Sequence, residues 1–397
     1  MTDPATRWGD SGLAWLTGEP TGPPDFSRAG VLQRAGQVVD HLNVATGIGA
    51  DAASLLAGRA ALLGWTRGGR RSAGAASRLL AAADGWWAIT LSRPDDIDAV
   101  GALVSSDRPG EPWAALTGWA ADKPAAEVVA RARLLDLPAA VLGEAAATGP
   151  TIRRVGRPGP ARGPAGALVV DLTSLWAGPL CGRLLAQAGA TVVKVESPSR
   201  PDGTRGGSRE FFDWVNGGKL SCTVDLDSDR EFLAALIGAA DVVLEGSRPA
   251  ALARRGLGPF DVAARPGRVW LQITGHGGDG GFAGFGDDAA VAGGLVGFDY
   301  EGGYALPVFC ADAIADPLTG IEAAAAVVDA LARGGGEVIT FALSAVAARY
   351  AALPRHPAPV GGPAVLPPRR PRIEATGPAL GADNARVGEL AAAVSRC

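Results

Sequence analysis

The sequence predicts an α/β fold: a doubly wound, mostly parallel (Rossmann-like) sheet with a second, smaller α+β domain. Three observations lead to this prediction. Short apolar strands alternate with helical segments from about residue 167 onward. Strands such as ALVVDL and DVVLE are apolar on both faces, which is typical of parallel strands covered by helices on both sides. A Gly-, Pro- and Arg-rich stretch at 146–165 has the composition of a linker.

The residues before this linker, 1–145, are predicted to form the smaller mixed module. We expect helices over Ser54–Leu63 and Ala75–Ala83, and a strand over Trp86–Leu91. Lys123–Leu135 has the spacing of an amphipathic helix, with Pro124 well placed in its first turn. Few polar groups in this module could carry chemistry.

The residues after the linker, 166–350, are predicted to form the sheet. Connections between parallel strands are right-handed, and ligands bind beyond the carboxyl ends of such strands. The expected strands and helices are Ala167–Leu172, Pro179–Ala188 (helix), Thr191–Glu196, Ser221–Leu226, Ser228–Ala240 (helix), Asp241–Glu245, Val269–Thr274 and Val338–Leu343. Residues 351–397 are expected to form a Pro-rich extended tail that ends in a short helix over Asn384–Ser395.

Composition and charge exclude several classes of function. A net charge of −4 argues against a nucleic-acid partner, and 20% charged residues is ordinary for a soluble protein. No apolar run reaches the length of a membrane span, and MTDPATRWGDSG lacks the features of a signal peptide, so we predict a cytoplasmic protein with no membrane partner. The four cysteines and three histidines show no metal-ligand spacing, so no metal is expected.

The most informative candidate is Asp316, in the stretch ADAIADPLTG. It directly precedes Pro317 and a helix of small residues. Asp is a good helix N-cap and Pro is favoured at the next position, so one interpretation is a capped helix and nothing more. The other is a nucleophilic carboxylate at a strand-to-helix junction, close to the positive ends of helix dipoles.

Two further candidates follow the first two strands of the sheet. The first strand runs into SLWAGP, where the amides of Trp176 and Ala177 begin a helix and could bind an anion. An ordinary strand-to-helix turn is the alternative. Glu196 ends the second strand and could bind a ribose hydroxyl, or be a solvated strand end. There is no GxGxxG, so the dinucleotide fingerprint is absent.

Charged residues later in the chain are weaker candidates. Arg248 and Arg254 follow the strand DVVLE and could bind phosphate, or lie on a solvated helix face. The Gly-rich stretch GHGGDGGFAGFG contains His276 and leads into Asp287 and Asp288. His276 is disfavoured as a general base because no carboxylate partner is evident nearby in the sequence.

Taken together, the ordered motifs VVDLTSLWAGP, GATVVKVE, VNGGKLSCTVDL, DVVLEGSRPAALARRGLG, RVWLQITGHGGDG and IADPLTG resemble the family III CoA-transferases. That family includes formyl-CoA and carnitine-CoA transferases and α-methylacyl-CoA racemases. The resemblance covers about residues 167–343. ADGWWAITL and AAEVVARARLLDLPAAVLGE are similar to the family's small domain, which normally follows the sheet. The chain therefore resembles a rearranged or fused member.

The resemblance implies a catalytic mechanism. The position of Asp316 is that of the family's nucleophile, which moves coenzyme A between an acyl-CoA donor and a carboxylic acid acceptor through an aspartyl covalent intermediate. Trp176 and Ala177 lie where the family places amide donors to the oxyanion. The resemblance also implies a homodimer.

The resemblance also implies a coenzyme A site. Arg254 matches a phosphate-binding position, and Val224 and Leu226 match positions lining the adenine; Glu196 and Arg248 complete the predicted set.

Two departures from the family pattern bear on activity. The family usually has Asn where this chain has Gly246. Asp288 matches the acid of the racemase GHD motif, but the residue before it is Asp287 rather than His. We therefore favour transfer over an acyl-CoA racemase or isomerase. A non-catalytic family member that binds coenzyme A is the remaining alternative.

Overall fold

The computed structural model describes residues 3–246, 251–277, 281–301, 304–357 and 363–394. The helices of the described part are α1 (Pro4–Asp10), α2 (Ala29–Thr46), α3 (Ala52–Leu63), α4 (Pro94–Asp98), α5 (Val100–Val104), α6 (Pro112–Ala120), α7 (Ala125–Leu134), α8 (Ala177–Gln187), α9 (Arg209–Asn216), α10 (Arg230–Ala239), α11 (Gly286–Ala292), α12 (Ala315–Ala332), α13 (Leu343–Ala351) and α14 (Asn384–Val394).

The strands form three sheets. They are β1 (Ser77–Ala82), β2 (Gly85–Thr90), β3 (Ala139–Val141), β4 (Thr151–Arg154), β5 (Leu168–Leu172), β6 (Thr191–Glu196), β7 (Leu220–Thr223), β8 (Val242–Glu245), β9 (Val269–Thr274), β10 (Val296–Glu301), β11 (Tyr304–Phe309) and β12 (Glu337–Ala342).

The large sheet has seven strands in the order β4-β12-β9-β8-β5-β6-β7. All neighbours pair in parallel except β4, which pairs antiparallel with β12 at the edge. Successive residues of β5, Val169 and Val170, are both fully buried, because helices cover both faces of the sheet. Together with the small antiparallel sheets β1-β2-β3 and β10-β11, this confirms the predicted fold class.

The hydrophobic cores group the chain differently from the predicted 1–145 module. Buried residues of α1, α2 and α3, such as Trp8 and Leu56, share one cluster with α8, α12 and one face of the large sheet. A separate cluster lies between β2 and helices α5, α6 and α7, around Trp87 and Leu116. Helices α1 to α3 therefore pack with the large sheet, whereas β2 and helices α5 to α7 have a core of their own. The predicted domain boundaries themselves stay a prediction.

One predicted element is wrong in type. Ala75–Ala83 is not a helix, because Ser77–Ala82 forms β1 and pairs antiparallel with β2. Its Ala and Leu residues favour a helix, but the turn before Gly85 allows a hairpin, and pairing with the apolar strand β2 overrides the local preference. The other predicted strands and helices are present with ends shifted by a few residues, and β6 and β9 match their predicted bounds.

The C-terminal tail covers the free edge of β7. Asp383 donates its backbone N–H to the Ser221 carbonyl at 2.9 Å, and its carboxylate accepts the Ser221 N–H at 2.8 Å. Asn384 accepts the Thr223 N–H at 2.9 Å and begins α14, the predicted C-terminal helix. An edge strand covered in this way is protected from pairing with other chains. Across the described ranges, every helix is too short or too polar to cross a membrane.

Candidate active site

The junction between β11 and α12 carries Asp316. Helix α12 begins at Ala315 with Ile314 as its cap residue, so Asp316 lies inside the first turn and its side chain makes no capping bond. The N-cap interpretation of Asp316 is therefore wrong. Just before the helix, Ala311 (φ 55°) and Ala313 (φ 40°) are both left-handed. Such residues cost on the order of 1–3 kcal/mol each and persist only where surrounding contacts hold them.

Three contacts hold this strained junction. The Ala311 N–H donates to the Thr17 hydroxyl at 3.0 Å, and the Ala313 N–H donates to Asp287 Oδ1 at 3.1 Å. Between them, the carboxylate of Asp312 accepts two bonds from Arg59, at 2.8 Å from Nε and 2.5 Å from Nη2. The backbone leading to Asp316 is thus fixed by groups from the N-terminal segment and from α11.

Arg59 connects the junction with the beginning of α8. Its guanidinium lies 4.3 Å from the centre of the Trp176 ring and within 5.6 Å of the Trp65 and Phe211 rings. Arg59 was not among the site residues predicted from the sequence. A signal was present, because Arg59 is the single charged residue of the apolar helix AASLLAGRAALL, and a charge in that setting needs a partner.

The predicted oxyanion donors begin α8. Trp176 is fully buried and is the cap residue, and Ala177 is the first residue of the helix, where backbone N–H groups have no intrahelical acceptor. The preceding Leu175 is left-handed (φ 71°) and donates its N–H to Asp202 at 3.1 Å. A Cβ added at Gly320, in the second turn of α12, would lie 2.7 Å from the Ala177 carbonyl, so the first turn of α8 is in close contact with the N-terminal part of α12.

Four carboxylates, hereafter the carboxylate cluster, surround the junction: Asp287, Asp288, Asp312 and Asp316. Burial raises the pKa of Asp316 to about 7; Arg59 opposes the rise and the other three carboxylates add to it. Burial, together with the charge of Asp312, raises the pKa of Asp287 to about 6. At neutral pH a fraction of Asp316 is therefore ionised in poorly solvated surroundings, as a carboxylate nucleophile requires.

The structure gives His276 the carboxylate partner that the sequence did not show. His276 Nε2 lies 2.9 Å from Asp288 Oδ2, and the His276 side chain is 9% exposed. Asp288 Oδ1 accepts the Phe285 N–H at 2.9 Å and the Thr90 hydroxyl at 3.2 Å. The objection to His276 was wrong because the partner lies twelve residues away in sequence and is brought near by the fold.

Among the predicted coenzyme A residues, Glu196 is the last residue of β6, and Val224 and Leu226 follow the end of β7. Glu196 is buried and accepts two bonds from Arg205, at 2.8 and 2.6 Å, so it is not a solvated strand end. Val224 is buried and donates its N–H to the Glu196 carbonyl at 2.9 Å, and Leu226 packs partly buried in the same cluster.

Arg254 is exposed in a short turn, Ala253–Arg255. This turn is tied to the segment after Leu226 by an ion pair between Arg255 and Asp227 at 3.2 Å. The structure thus brings Arg254 towards Leu226, whereas Arg248 lies outside the described residues.

No set of three or more His, Cys, Asp or Glu side chains in the described ranges is arranged to hold a metal ion, the carboxylate cluster included. One surface cavity of about 450 Å³ lies along α1 and α2, and another of about 690 Å³ lies beside β1 and α6. Neither cavity is lined by residues of the carboxylate cluster.

Comparison with known proteins places these motifs in one family. Residues 165–365, just over half of the chain, match the model of CoA-transferase family III. Over 132 residues the chain is 37% identical to the probable fatty acyl-CoA transferase Rv3272 of Mycobacterium tuberculosis (30% of this chain, 34% of that protein). Over 187 residues it is 31% identical to the succinyl-CoA–D-citramalate CoA-transferase of Chloroflexus aurantiacus (43% and 46%).

A third relative is the succinate–glutarate CoA-transferase of Agrobacterium fabrum, which is 32% identical over 200 residues (45% of this chain, 50% of that protein). The chain thus spans about a third to a half of the length of these curated relatives. Among solved structures, the crystal structure of the hypothetical protein Rv3272 of Mycobacterium tuberculosis aligns with a TM-score of 0.43 at 31% identity, over 49% of this chain and 56% of that one. On the match of residues 165–365, the chain belongs to CoA-transferase family III.

Proposed function

We propose that the protein is an acyl-CoA:carboxylate CoA-transferase with Asp316 as its nucleophile. The observation that carries the proposal is the setting of Asp316: it lies in the first turn of α12, shortly after two left-handed residues, and its pKa is raised to about 7. The relatives named as CoA-transferases support the reaction class. Coenzyme A enters this reaction as part of the substrate.

The proposed reaction has two halves. An Asp316 carboxylate oxygen attacks the thioester carbonyl of the donor, the C–S bond breaks, and an acyl-aspartyl anhydride and the CoA thiolate form. The thiolate then attacks the aspartyl carbonyl of the anhydride, which releases the donor's carboxylate and leaves an aspartyl-CoA thioester. The acceptor carboxylate reverses the sequence: it forms a new anhydride, and thiolate attack on its acyl carbon gives the product and restores the carboxylate of Asp316.

The residues around Asp316 fit this chemistry. The amides of Trp176 and Ala177 would donate to the oxyanion of each tetrahedral intermediate, because they are unsatisfied within α8. The cation of Arg59 favours the ionised form of Asp316. We propose that Glu196, Val224, Leu226 and Arg254, with Arg248, contact the coenzyme A moiety.

The test is covalent trapping. The protein is incubated with hydroxylamine and a panel that includes acetyl-CoA and succinyl-CoA, and peptides are analysed by mass spectrometry. We expect a hydroxamate on Asp316. The Asp316→Asn variant should lose the adduct and reduce transfer by roughly 10³-fold or more, because the covalent route is removed. Asp329→Asn changes a partly exposed carboxylate on the same helix, and it should leave the adduct and the transfer rate unchanged.

Two outcomes would contradict the proposal. Measurable binding of coenzyme A by calorimetry without any adduct would indicate a non-catalytic member. Deuterium incorporation at the α-carbon without transfer would indicate an acyl-CoA racemase or isomerase. The second alternative has one observation in its favour, because the His276–Asp288 pair provides a second titratable group close to the carboxylate cluster.

A further inference from the structure

The loop that precedes α8, residues 173–176 and hereafter the β5–α8 loop, is held by a buried ion pair. Lys194 Nζ lies 2.7 Å from Asp202 Oδ2, and both side chains are fully buried. Lys194 also donates to the Thr173 carbonyl at 3.0 Å, and Asp202 Oδ1 accepts the Leu175 N–H at 3.1 Å. The two members of the ion pair thus bond to two different peptide groups of the same short loop.

Both members of the pair are themselves fixed by the fold. Lys194 on β6 lies beside Asp171 on β5 in the parallel ladder, on the face of the sheet that packs against α8. The Asp202 N–H donates to Glu196 Oε1 at 2.9 Å. Asp202 Oδ1 accepts the Thr204 N–H at 2.9 Å and the Thr204 hydroxyl at 2.8 Å. The carboxylate of Asp202 is therefore held in place beneath the loop.

A second buried ion pair holds the same loop at Thr173. Lys219 Nζ lies 2.9 Å from Asp171 Oδ2, and Asp171 Oδ1 accepts the Thr173 N–H at 3.0 Å. Lys219 also donates to the Pro179 carbonyl at 2.9 Å, in the first turn of α8. The two ion pairs thus hold the loop and the beginning of the helix in one arrangement.

Burying four charges is a costly way to stabilise a fold, because desolvation offsets most of their attraction. All four side chains are 0% exposed. Burial opposes the ionisation of Asp202, but the charge and hydrogen bond of Lys194 outweigh it, so the pKa of Asp202 lies below its ordinary value. An ionised carboxylate is a strong hydrogen-bond acceptor. Such a network therefore fixes the position of the loop more than it stabilises the protein.

The conformation of Leu175 needs this support. Its φ is 71°, in the left-handed region that is unfavourable for a residue with a Cβ. Its side chain is 38% exposed, so little burial compensates for the strain. The next peptide group carries the Trp176 N–H, and the backbone angles of Leu175 set its direction. A bond that fixes Leu175 therefore also fixes the direction of the Trp176 N–H.

We propose that Lys194 and Asp202 are positioning residues that direct the predicted oxyanion donors at the beginning of α8 towards the reaction centre. They do so by holding Leu175 in its left-handed conformation. The catalytic half of this proposal rests on the proposed function, because the donors act in catalysis only if an oxyanion forms beside Asp316. The structural half is that the ion pair sets the direction of the Trp176 N–H, and it can be measured without any reaction.

The first measurement follows the Trp176 N–H by NMR. Trp176 is the one tryptophan of the chain that follows a leucine. Labelling leucine carbonyl carbons and tryptophan backbone nitrogens with NMR-active isotopes therefore gives a single signal for a leucine–tryptophan amide. In Asp202→Asn we expect this signal to shift and broaden, because one amide oxygen cannot accept from both Lys194 and the loop.

Asp96→Asn is the matched control for Asp202→Asn. The Asp96 side chain is 2% exposed, pairs with Arg93 at 2.6 Å and accepts the Ser92 N–H at 3.0 Å, so it also combines a cation with a backbone donor. It lies in α4, outside the β5–α8 loop and its two ion pairs. The Trp176 signal should stay in place in this variant.

The second measurement separates kcat from KM. Asp202→Asn should lower kcat by about 10- to 100-fold, somewhat less than the complete loss of an oxyanion donor. KM for the acyl-CoA donor should stay nearly unchanged, because the oxyanion does not exist in the bound substrate. Adding Leu175→Gly to Asp202→Asn should restore kcat about fivefold, since glycine adopts the left-handed conformation without the strain of an L-residue.

An unchanged Trp176 signal in Asp202→Asn would overturn the proposal, as would a double variant no faster than Asp202→Asn alone. Where Asp202→Asn does not fold, Lys194→Gln is the milder change, because its amide still donates to Asp202. It should shift the Trp176 signal by less, and an unchanged signal would again contradict the proposal. A shifted signal without any adduct in the trapping experiment would refute the proposed function and leave the structural half supported.

Discussion

Arg59 is the residue that joins the two halves of the proposed site. It bonds Asp312 with two nitrogens, lies over the Trp176 ring, and acts electrostatically on Asp316. Since the side chain of Asp312 is 1% exposed, its charge has no alternative partner in solvent. Arg59 therefore stabilises the strained junction and favours the ionised nucleophile at the same time.

Replacing Arg59 should lower the stability of the protein and raise the pKa of Asp316. Arg59→Met leaves a buried carboxylate unpaired, and we expect a loss of about 3–5 kcal/mol in the free energy of unfolding, measured in urea. Adding Asp312→Asn should recover part of it. In Arg59→Met the pKa of Asp316 should rise, so the acid limb of kcat/KM should move to higher pH.

Arg183→Met is the control for Arg59→Met, because Arg183 stacks 5.3 Å from the Trp214 ring on α9. It should leave the acid limb in place. An Arg59→Met enzyme with an unchanged acid limb would contradict the electrostatic role.

At the scale of elements, the contact between α11 and α12 depends on a missing side chain. A Cβ added at Gly286, the first residue of α11, would lie 2.4 Å from the Ala313 carbonyl and 2.5 Å from Asp316 Oδ2. Only glycine lets the start of α11 approach the junction this closely. The same approach brings Asp287 within hydrogen-bond distance of Ala313.

Gly286→Ala should therefore displace Asp316. We expect a destabilisation of roughly 1–3 kcal/mol from overpacking, measured by thermal unfolding. We also expect a fall in the rate of Asp316 acylation, measured by the trapping reaction. Gly238→Ala on α10 is the matched control, since nothing lies within 4 Å of its added Cβ. That change should be neutral or stabilising by up to about 1 kcal/mol. Equal behaviour of the two variants would refute the packing argument.

At the scale of the whole molecule, raised carboxyl pKa values link folding to pH. In the folded protein the pKa of Asp316 rises from 3.8 to about 7, and that of Asp287 rises from 3.8 to about 6. Between pH 3.8 and these raised values, the folded chain therefore binds more protons than the unfolded chain. Their contribution to stability is present at low pH and is lost as pH rises through this window.

Asp316→Asn should remove part of this dependence. Relative to the unmodified protein, the variant should gain roughly 2 kcal/mol of unfolding free energy between pH 5 and pH 8, because its side chain cannot ionise. Urea unfolding at the two pH values measures the difference, with Asp329→Asn as the reference. A gain of the same size in Asp329→Asn, or a loss in Asp316→Asn, would contradict the assigned cause.

The sequence by itself determined the sheet and the motifs at its strand ends. Apolar runs such as Val242–Leu244 can be recognised from neighbouring residues alone, and the order of short motifs was specific enough to indicate the family and Asp316. β1 was missed because its residues favour helix on their own and become a strand only by pairing with β2. The predicted homodimer and the coenzyme A contacts stay predictions.

Only the tertiary structure decided which distant side chains meet at the carboxylate cluster. Arg59, Ser77 and Thr90 come from the N-terminal third of the chain, and each contacts a carboxylate more than 190 positions away. No local pattern encodes such contacts, because they arise when α3 and the small sheet pack against α11 and α12. The surroundings that raise the pKa of Asp316 exist only in the packed molecule, since burial and neighbouring charges, not residue type, set that value.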